Sequence, residues 1–433
     1  MTDAWREAYE RKFITAEEAA HFVKSGDTVV FTAGREAFAI GLAIAARKEE
    51  LRDVTVFAGT PSYDFGWYDE GWQDSFSIRS VMPTATCQEA VDARRIHIVP
   101  LPIAGGVTRN PEIVVTEVSP PDSNGFCSFG QSLWNKKAQL REGRLKIAEV
   151  NSSLIRTYGD NFIHVSEIDY FVEHVSSGLG VGSGTLAGRA RKEPEPYLTK
   201  IVQNVSELIK DGDTIQIGVG RTTEPLVRLG LLEGKRDLGI HSEATPPGVI
   251  GLVRQGVING SRKTINKGKV TVTSLGGGSK EEMDWASNNP LFDLIDVEEL
   301  EDIGTIGAND NMVAINNALV VQLDGQIGAE SVGRRLLATA GGQLAFVMGA
   351  WMSRGGRSIT VLPSMSRDNS RLVSTFETGT VVTIPRNLAD YVVTEYGVAS
   401  LRGKSLKERA QELIAIAHPD IRAELKKEAA ELF

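Results

Sequence analysis

The residue whose type and position best suit chemistry in this 433-residue chain is Glu243. It closes the stretch DLGIHSE at residues 237–243, where an apolar run of strand length ends on a carboxylate. Open α/β sheets bind their ligands at the carboxyl ends of their strands. A carboxylate at the end of such a strand is well placed for catalysis, so Glu243 is the candidate catalytic residue.

Other catalytic chemistries lack the residues that they require. The six histidines show no metal-ligand spacing such as H-E-x-x-H, and no metal site is predicted. No G-x-S-x-G motif is present, which disfavours a serine hydrolase. The two cysteines, Cys87 and Cys127, lack the pairing of a zinc site or of a disulfide framework, and they fit a reducing cytosol.

Composition and charge exclude several classes of partner. The formal net charge of −9 gives no general field that would gather nucleic acid or anionic lipid. The amino terminus, MTDAWREAYERKF, lacks the apolar core of a secretory signal, and no apolar run approaches the length of a membrane span. We therefore expect a soluble, cytoplasmic protein that binds neither nucleic acid nor membranes.

The elements that position Glu243 follow an α/β pattern. Strand-like DTVVFTAG is followed by helix-like AIGLAIAARKEEL and then by strand-like DVTVFAG, and similar alternation continues along the chain. A length of 433 residues exceeds what a single hydrophobic core supports, which predicts two domains. We expect mainly parallel sheets in both of them.

A weak internal repeat relates the two halves of the chain. Residues 23–35 read VKSGDTVVFTAGR and residues 209–221 read IKDGDTIQIGVGR, with the Gly-Asp-Thr turn and the final Gly-Arg in common. Further on, RDVTVFAG ends at Gly59, whereas its counterpart RDLGIHSE ends at Glu243. The repeat predicts two related open α/β domains, only one of which carries the carboxylate.

The join between the halves falls in residues 178–197, a segment rich in glycine, proline and charge. We place the boundary near residue 190, which gives an N-terminal domain of residues 1–190 and a C-terminal domain of residues 191–433. Gly182–Ala187 within this segment matches the degenerate dinucleotide pattern G-x-G-x-x-A. It runs into a charged, proline-rich stretch, so we interpret it as linker.

Two glycine loops are candidates for backbone contact with a ligand. Gly218–Gly220 follows the strand-like DTIQI, and Gly341–Gln343 lies between a helix-like stretch and LAFVMGA. Glycines in such loops let backbone N–H groups point into a cleft, or let a ligand approach the main chain closely. The same glycines also suit ordinary turns, and spacing alone leaves both interpretations open.

Taken together, these stretches resemble the acetyl-CoA hydrolase / 4-hydroxybutyrate CoA-transferase family, a branch of the class I CoA-transferases. The resemblance spans nearly the whole chain. It is carried by SPPDSNGFCSFG (119–130), DNFIHVSEIDYFVE (160–173), DLGIHSE (237–243), ANDNMVAINNAL with DGQIGAES (308–331), AGGQLAF, SRGGRSITVLPS and VVTEYGVASLRGKSLKERAQELIAIAHPDIR.

The resemblance implies roles for the residues that match these strings. Glu243 is the expected nucleophile, and Gly341 and Gly342 are the candidates for stabilising negative charge on reacting carbonyl oxygens. In the implied mechanism the carboxylate attacks an acyl-CoA to give a mixed anhydride, and the CoA thiolate then forms a glutamyl-CoA thioester. The expected contacts with coenzyme A are Gly218, Val219, Gly220, Arg221, Thr222, Gly341, Gly342 and Gln343.

Departures from the family pattern concern the acid. After the glutamate the family commonly has a Met-Phe-Ser-Asp-Gly type of run, whereas this chain has residues 244–248, ATPPG, and Ala345 stands where the family has an aspartate. Arg35 or Arg221 is a candidate partner for a second carboxylate, against the alternative that both are surface ions. The residues expected in the acid pocket are Arg35, Ala244, Thr245 and Pro246.

An aromatic cluster in the first half bears on the size of the acid. Its members are Tyr63, Phe65, Trp67, Tyr68, Trp72 and Phe76. Such a cluster is usually hydrophobic core or subunit contact, and the alternative is a wall for a bulky apolar substrate. Together with Pro246 and Pro247, it favours an acceptor acid that is larger than acetate, cyclic or aromatic.

The sequence thus predicts a CoA-transferase that moves CoA from a donor such as succinyl-CoA or acetyl-CoA to a carboxylic acid. The first domain shapes the acid pocket, and the second supplies Glu243 and the CoA site. No permanently bound cofactor is expected, because coenzyme A is itself a substrate, and the family implies a homodimer or homotetramer. The alternatives are an acyl-CoA hydrolase with the same nucleophile, and a non-catalytic acyl-CoA-binding protein.

Overall fold

Two compact units make up the protein in the computed structural model, which describes residues 4–101, 106–178 and 195–433. The first unit contains the described residues up to 178 together with 273–298, and the second contains 195–272 and 299–433. The Gly182–Ala187 motif lies outside the described residues. The sequence does not anticipate that 273–298 belongs with the first unit, and the functional division into 1–190 and 191–433 stays a prediction.

Helices and strands alternate along most of the described chain. The helices are, in chain order, α1 (Ala4–Arg11), α2 (Ala16–His21), α3 (Phe38–Ala45), α4 (Gln88–Asp92), α5 (Lys136–Glu142), α6 (Tyr197–Ser206), α7 (Val249–Arg254), α8 (Lys280–Ala286), α9 (Val297–Leu300), α10 (Ile303–Gly307), α11 (Gln343–Met352), α12 (Leu406–Ala415) and α13 (Arg422–Leu432). The strands are β1 (Thr28–Phe31), β2 (Val54–Ala58), β3 (Phe76–Ser80), β4 (Ile96–Ile98), β5 (Ile113–Val118), β6 (Phe126–Ser128), β7 (Leu145–Val150), β8 (Tyr158–Gly159), β9 (Phe162–His164), β10 (Tyr170–Glu173), β11 (Thr214–Ile217), β12 (Gly239–Ala244), β13 (Val270–Ser274), β14 (Phe292–Leu294), β15 (Met312–Asn317), β16 (Val320–Gln322), β17 (Ile327–Gly328), β18 (Ser331–Val332), β19 (Arg335–Leu336), β20 (Arg357–Val361), β21 (Met365–Ser366), β22 (Asn369–Ser370), β23 (Leu372–Val373), β24 (Tyr391–Thr394) and β25 (Gly397–Ser400).

The first unit is built on a parallel sheet in the order β10-β7-β5-β1-β2-β3-β4. Its inner strands are rich in valine and isoleucine, and all of β5 is buried, as expected for a sheet covered on both faces. Helix α3 buries Ile40 and Ile44 in the same core. The predicted aromatic cluster also packs there: Tyr63, Phe65, Trp67, Tyr68 and Phe76 are buried, and Trp72 lies against them. This packing favours its interpretation as core.

The second unit is built on a similar sheet. Strands β24-β20-β15-β11-β12 are parallel neighbours in that order, and β25 adds to β24 in the antiparallel sense. The boundary between the units falls within β13. Residues of β16, β24 and α12, such as Val321, Val392 and Leu413, are fully buried in a common core.

The internal repeat is visible in the backbone of both units. Gly26 and Gly212 adopt φ angles of 88° and 82°, which favour glycine at this turn. The carboxyl groups of Asp27 and Asp213 each accept a hydrogen bond from the backbone N–H three residues earlier, at 2.8 and 2.6 Å. The strand order β10-β7-β5-β1-β2 matches β24-β20-β15-β11-β12. The predicted fold class, two related α/β units with mainly parallel sheets, is confirmed.

The described residues also show the outcome for membrane-spanning helices, metal-binding clusters and cysteines. None of the helices among the described residues combines the length and the apolar composition needed to span a bilayer. Over the same ranges, no group of three or more His, Cys, Asp or Glu side chains is arranged to hold a metal ion. Cys87 and Cys127 are both buried free thiols.

Candidate active site

Glu243 lies near the end of β12, at the carboxyl edge of the sheet in the second unit. This strand runs parallel to β11, with Gly239 opposite Thr214. The neighbours of Glu243 on the strand, Ser242 and Ala244, are buried, whereas Glu243 keeps partial exposure. The structure therefore places the candidate carboxylate at the strand end that the repeat indicates.

A second carboxyl group, that of Glu301, forms a hydrogen bond with the carboxyl group of Glu243. Glu301 is 5% exposed and follows directly after α9. Burial raises the pKa of Glu243, while the hydrogen bonds from Glu301 and from the backbone N–H of Gly342 act in the opposite direction. The site therefore contains a desolvated carboxyl group that two hydrogen-bond partners hold in place.

Gly342 lies so close to both carboxyl groups that a side chain would displace them. A Cβ atom at this position stands 2.6 Å from Oε1 of Glu301 and 2.9 Å from Cδ of Glu243. Gly342 also caps the amino end of α11, and the preceding Gly341 has a φ of 54°. A helix N-terminus favours negative charge on a carboxylate that its N–H groups contact. The loop thus combines a left-handed turn at Gly341 with a close approach at Gly342.

His241 ties together the two segments that carry the carboxyl groups. It precedes Glu243 by two residues, so both side chains leave β12 on the same face. Burial and nearby Lys263 lower the pKa of His241 to about 4, so its ring is neutral at pH 7. Its Nε2 lies 2.8 Å from the carbonyl oxygen of Leu300 and donates to it. This bond fixes the residue before Glu301 against the strand.

The glycines of the 218–222 loop pack on the end of β15. A Cβ atom on Gly218 stands 2.4 Å from Oδ1 of Asn316, and one on Gly220 stands 1.6 Å from Oδ1 of Asn317. The amide of Asn316 is held by a reciprocal pair of 3.0 Å hydrogen bonds with Gln216. Both glycines are therefore required by close packing within the unit, independently of any ligand.

The other predicted CoA contacts differ in exposure. Val219 is partly exposed and Arg221 is exposed, whereas Thr222 is buried. Gln343, in the first turn of α11, is buried and directs its Nε2 towards the carbonyl oxygen of Asn317 at 3.5 Å. Gly341, Gly342 and Gln343 thus belong to the same unit as the 218–222 loop, and their contact with coenzyme A stays a prediction.

The residues that follow Glu243 form a packed turn. Ala244, Thr245 and Pro246 are all buried. The hydroxyl of Ser242 donates to the carbonyl of Ala244 at 3.0 Å, and Gly248, with a φ of 100°, then caps α7. A role for Ala244, Thr245 and Pro246 in the acid pocket stays a prediction.

Arg35 has partners inside the first unit. It is 5% exposed, and its Nε and Nη2 donate to the hydroxyl of Tyr63 at 3.2 and 3.0 Å. Its Nε also lies 3.8 Å from Oε2 of Glu117, which accepts from Nδ2 of Asn151 through its other oxygen at 2.7 Å. The alternative that Arg35 is a surface ion is therefore wrong, whereas exposed Arg221 is compatible with that alternative. Pairing of either arginine with a substrate stays a prediction.

A small apolar cavity of about 30 Å³ lies at the carboxyl ends of the central strands of the first unit. Gly59, the counterpart of Glu243, lines it, and a Cβ atom on Gly59 meets nothing closer than 3.9 Å. Where the second unit has a carboxylate, the first unit therefore has open space. The lining consists of Val30, Phe31, Thr32, Ala33, Phe57, Gly59, Thr60, Val81, Gly106, Trp134, Asn135 and Gln139.

The family of the chain follows from both of its halves. The N-terminal domain of the acetyl-CoA hydrolase/transferase family matches residues 2–177, and the C-terminal domain of the same family matches residues 278–429. The chain belongs to this family, and the resemblance noted from its sequence strings is confirmed.

Similar proteins agree with this assignment. The 4-hydroxybutyrate coenzyme A transferase of Clostridium kluyveri is 37% identical, over 99% of this chain and 100% of that protein. The succinyl-CoA:cyclohexane-1-carboxylate CoA transferase of Geobacter metallireducens is 32% identical, over 98% and 97%. The crystal structure of RipA from Yersinia pestis is similar with a TM-score of 0.88 and 29% identity, over 99% of both chains. These findings confirm that the protein is an enzyme of the CoA-transferase class.

Glu301 is the part of the site that the sequence does not reveal. It stands in VEELED, residues 297–302, where four acidic residues suggest an ordinary solvated helix end. Its neighbours Glu298 and Glu299 are indeed exposed, and only Glu301 turns inward. The bond from His241 to Leu300 accounts for this orientation, and no local spacing predicts it.

Proposed function

We propose that the protein transfers coenzyme A between carboxylic acids by way of a covalent thioester on Glu243. The observation that carries the proposal is the position of the Glu243 carboxyl group near a strand end, where the backbone N–H of Gly342 and the carboxyl group of Glu301 bond it. A raised pKa makes a carboxylate a better nucleophile once it is ionised. Membership of the acetyl-CoA hydrolase/transferase family supports the same reaction.

The proposed reaction proceeds in two exchanges. One oxygen of the Glu243 carboxylate adds to the carbonyl carbon of the acyl-CoA, the C–S bond breaks, and a mixed anhydride and CoA thiolate result. The thiolate then adds to Cδ of Glu243, the bond from Cδ to the bridging oxygen breaks, and the first acid leaves as its carboxylate. A second acid runs the same steps backwards. Both nucleophiles are anions, so the cycle consumes no proton.

Stabilisation of negative charge is the main demand of these steps, because each addition produces an oxyanion. The backbone N–H of Gly342 already bonds a carboxyl oxygen of Glu243, and α11 starts at the next residue. One such donor is worth about 2.7 to 4 kcal/mol in comparable sites. We assign Gly342, with Gly341 beside it, to stabilisation of the oxyanion and the thioester.

The proposed CoA site uses the two glycine loops of the second unit. Gly218, Val219 and Gly220 follow directly after β11, the strand next to β12. Gly341, Gly342 and Gln343 open α11. Ligands of open α/β sheets bind at the carboxyl ends of the strands, which supports placing the thioester end of coenzyme A against these loops, with Arg221 and Thr222 continuing the site.

The proposed acceptor is an acid larger than acetate, cyclic or aromatic, with succinyl-CoA or acetyl-CoA as donor. The relative from Geobacter metallireducens, a succinyl-CoA:cyclohexane-1-carboxylate CoA transferase, supports a cyclic acid. We assign Ala244, Thr245 and Pro246 to the acid pocket, and a contact of Arg35 with the acid stays a prediction. Oligomeric state and cellular location stay predictions.

Trapping the thioester tests the mechanism. Enzyme mixed with succinyl-CoA or acetyl-CoA and then reduced with borohydride is expected to lose activity and to carry a reduced Glu243 in peptide mass spectrometry. The Glu243→Gln variant is expected to have no transfer activity and to carry no reduced residue at this position. The control Glu299→Gln, which changes an exposed carboxylate in the same unit, is expected to behave as the natural enzyme. An unmodified Glu243 in an enzyme that still transfers CoA would contradict the covalent mechanism.

The hydrolase alternative shares the first intermediate and needs its own measurement. CoA release from an acyl-CoA is followed with and without a panel of acids that includes acetate, 4-hydroxybutyrate, cyclohexane-1-carboxylate and benzoate. A transferase gives a new acyl-CoA that accounts for the CoA consumed. CoA release that no acid redirects would favour the hydrolase.

A further inference from the structure

The carboxyl groups of Glu243 and Glu301 meet beside Gly342, where an added Cβ atom stands 2.9 Å from Cδ of each, and they share a hydrogen bond. Ionised carboxylates have acceptor atoms only, so a direct bond between Glu243 and Glu301 requires that one of the two is a neutral acid. Like charges at such a distance inside a protein also disfavour ionisation of both groups. The pair therefore holds one proton, and the question is which residue carries it.

Burial favours the neutral form of both carboxyl groups, and the hydrogen bond from the backbone N–H of Gly342 favours the anion on Glu243 alone, so the shared proton is assigned to Glu301. Glu243 receives the backbone N–H of Gly342 at the start of the ten-residue helix α11, which stabilises the anion on Glu243. Glu301, at 5% exposure, is enclosed and donates to that anion. A carboxylic acid in such a setting remains neutral and acts as a hydrogen-bond donor.

Other titratable groups near the pair do not change this arrangement. His241 on β12 is neutral at pH 7 and bonds the carbonyl of Leu300, and the ammonium of Lys263 donates to the carbonyl of Ile240 at 2.9 Å. Asp302 accepts from the backbone N–H of Thr305 at 2.7 Å, and Glu299 is exposed. Helix α11, QLAFVMGAWM, carries no titratable side chain.

We infer that Glu301 is held as a neutral acid that donates its proton to a Glu243 oxygen throughout the reaction, and that it forms the oxyanion site of the glutamyl group together with Gly342 N–H. This role rests on the proposed thioester mechanism. It gives the nucleophile a second donor besides the backbone N–H of Gly342.

The role is the same in each state of Glu243. The oxygen that accepts from Glu301 is part of the carboxylate at first, and the other oxygen becomes the bridging atom of the anhydride. When the CoA thiolate adds to Cδ, the S–Cδ bond forms and negative charge develops on the oxygen bonded to Glu301. Collapse breaks the bond from Cδ to the bridging oxygen and leaves the thioester carbonyl as the acceptor. Glu301 keeps its proton in every state, so the transfer still consumes and releases no proton.

The pH dependence of kcat tests this inference with two substitutions. In the natural enzyme, transfer is expected to fall at alkaline pH as Glu301 ionises and the donor is lost. Glu301→Gln keeps an amide N–H donor that does not titrate, so its kcat is expected within about 10-fold of the natural value and without that alkaline fall. Glu301→Ala removes the donor, and its kcat is expected to drop by about 10² to 10³ at every pH, with little change in KM for the acyl-CoA.

An infrared difference spectrum provides a readout of the proton itself. The natural enzyme at pH 7 is expected to show a carboxylic-acid carbonyl band that Glu301→Gln lacks and that Glu299→Gln retains. Thermal unfolding shows whether each variant is folded. If Glu301→Ala fails to fold, the pH dependence of kcat in Glu301→Gln decides the test. An unchanged alkaline limb in Glu301→Gln, or a missing carboxylic-acid band in the natural enzyme, overturns the inference.

The inference and the proposed function fail in different ways. If borohydride labels Glu243 in the natural enzyme but the pH dependence of kcat is the same in Glu301→Gln as in the natural enzyme, only the role of Glu301 is contradicted. Absence of labelling in an active natural enzyme sinks the thioester mechanism and the inference with it.

Discussion

The carboxyl group of Glu243 is hydrogen-bonded to the carboxyl group of Glu301, and both lie against the Cα of Gly342. The two glutamates come from separate elements, β12 and the end of α9, and the bond from His241 to Leu300 brings those elements together. A carboxylate in this setting is oriented before substrate arrives, which lowers the cost of reaching the reactive geometry.

Gly342→Ala tests the close approach to the carboxyl pair. The new methyl group meets carboxyl atoms at 2.6 and 2.9 Å, and because these atoms are ends of side chains they move aside without disturbing the sheet. We expect a loss of about 100-fold or more in kcat, since displacement by about 1 Å costs that much, with a small change in the midpoint of denaturant unfolding.

A matched glycine serves as the control for Gly342→Ala. Gly304 lies in α10 of the same unit, and a Cβ atom there meets only Oδ1 of Asp302, at 3.1 Å. Gly304→Ala is expected to keep kcat within a few-fold. Equal kcat values for Gly342→Ala and the natural enzyme would show that the contact with the carboxyl pair has no catalytic consequence.

Gly220→Ala tests the packing of the 218–222 loop on β15. A Cβ atom stands 1.6 Å from Oδ1 of Asn317, an oxygen that also accepts from the hydroxyl of Thr223 at 3.2 Å. We expect the variant to lose about 1 to 3 kcal/mol in free energy of unfolding and to bind acyl-CoA more weakly, because the loop must move.

A double-mutant cycle separates this clash from other effects. Asn317→Ala removes the clashing amide, so Gly220→Ala combined with Asn317→Ala is expected to be more stable than the sum of the single changes predicts, by about 0.5 to 3 kcal/mol. Denaturant unfolding and KM for the acyl-CoA are measured on all four proteins. Strictly additive values would show that the two side chains do not compete for space.

The fold class is predictable from the sequence because short local patterns indicate the repeat of the two units. The Gly-Asp-Thr turns at Gly26 and Gly212 require glycine at positive φ, and the apolar runs after them are of strand length. The strand end that carries Glu243 followed from aligning the two halves. These patterns involve residues close together in the chain, so each can be recognised in a single sequence.

The partners of the site residues were not predictable, since they depend on contacts between distant segments. Nothing in VEELED separates buried Glu301 from exposed Glu298 and Glu299. The sequence leaves Arg35 as either a substrate ligand or a surface ion, because its contacts with Tyr63 and Glu117 form only between segments that are distant in the chain.

Glu36 links stability to pH in the first unit. Its carboxyl group is buried, accepts from the backbone N–H of Ser62 at 2.9 and 3.1 Å, and burial raises its pKa to about 7 from an ordinary value of 4.5. A raised folded-state pKa means that stability is fully present below the unfolded value and is lost as pH rises through the folded value. We expect this group to remove about 3 kcal/mol of unfolding free energy between pH 4.5 and 8.

Glu36→Gln isolates that contribution. The amide carbonyl still accepts from Ser62, but it carries no charge at any pH, so the variant is expected to gain stability relative to the natural protein as pH rises from 5 to 8. Unfolding by denaturant at several pH values measures the difference, and Glu70→Gln, at an exposed site of the same unit, serves as control. A difference that stays constant with pH would contradict the assignment.

His241 should produce the opposite dependence in the second unit. Burial and Lys263 lower its pKa to about 4 from an ordinary value of 6.5, so the unfolded chain binds more protons than the folded chain between these values, and stability falls as pH drops from 7 to 4 by about 3 kcal/mol. His241→Gln does not titrate and keeps an N–H donor for Leu300, so its unfolding free energy is expected to depend less on pH while CoA transfer continues.

His241→Phe lacks the donor, and we expect it to lower kcat because the segment that holds Glu301 is released from β12. The control His97→Gln changes an exposed histidine on β4 and should alter neither slope nor kcat. Equal pH slopes for the natural protein and His241→Gln would show that this buried ring is not the group whose protonation destabilises the fold.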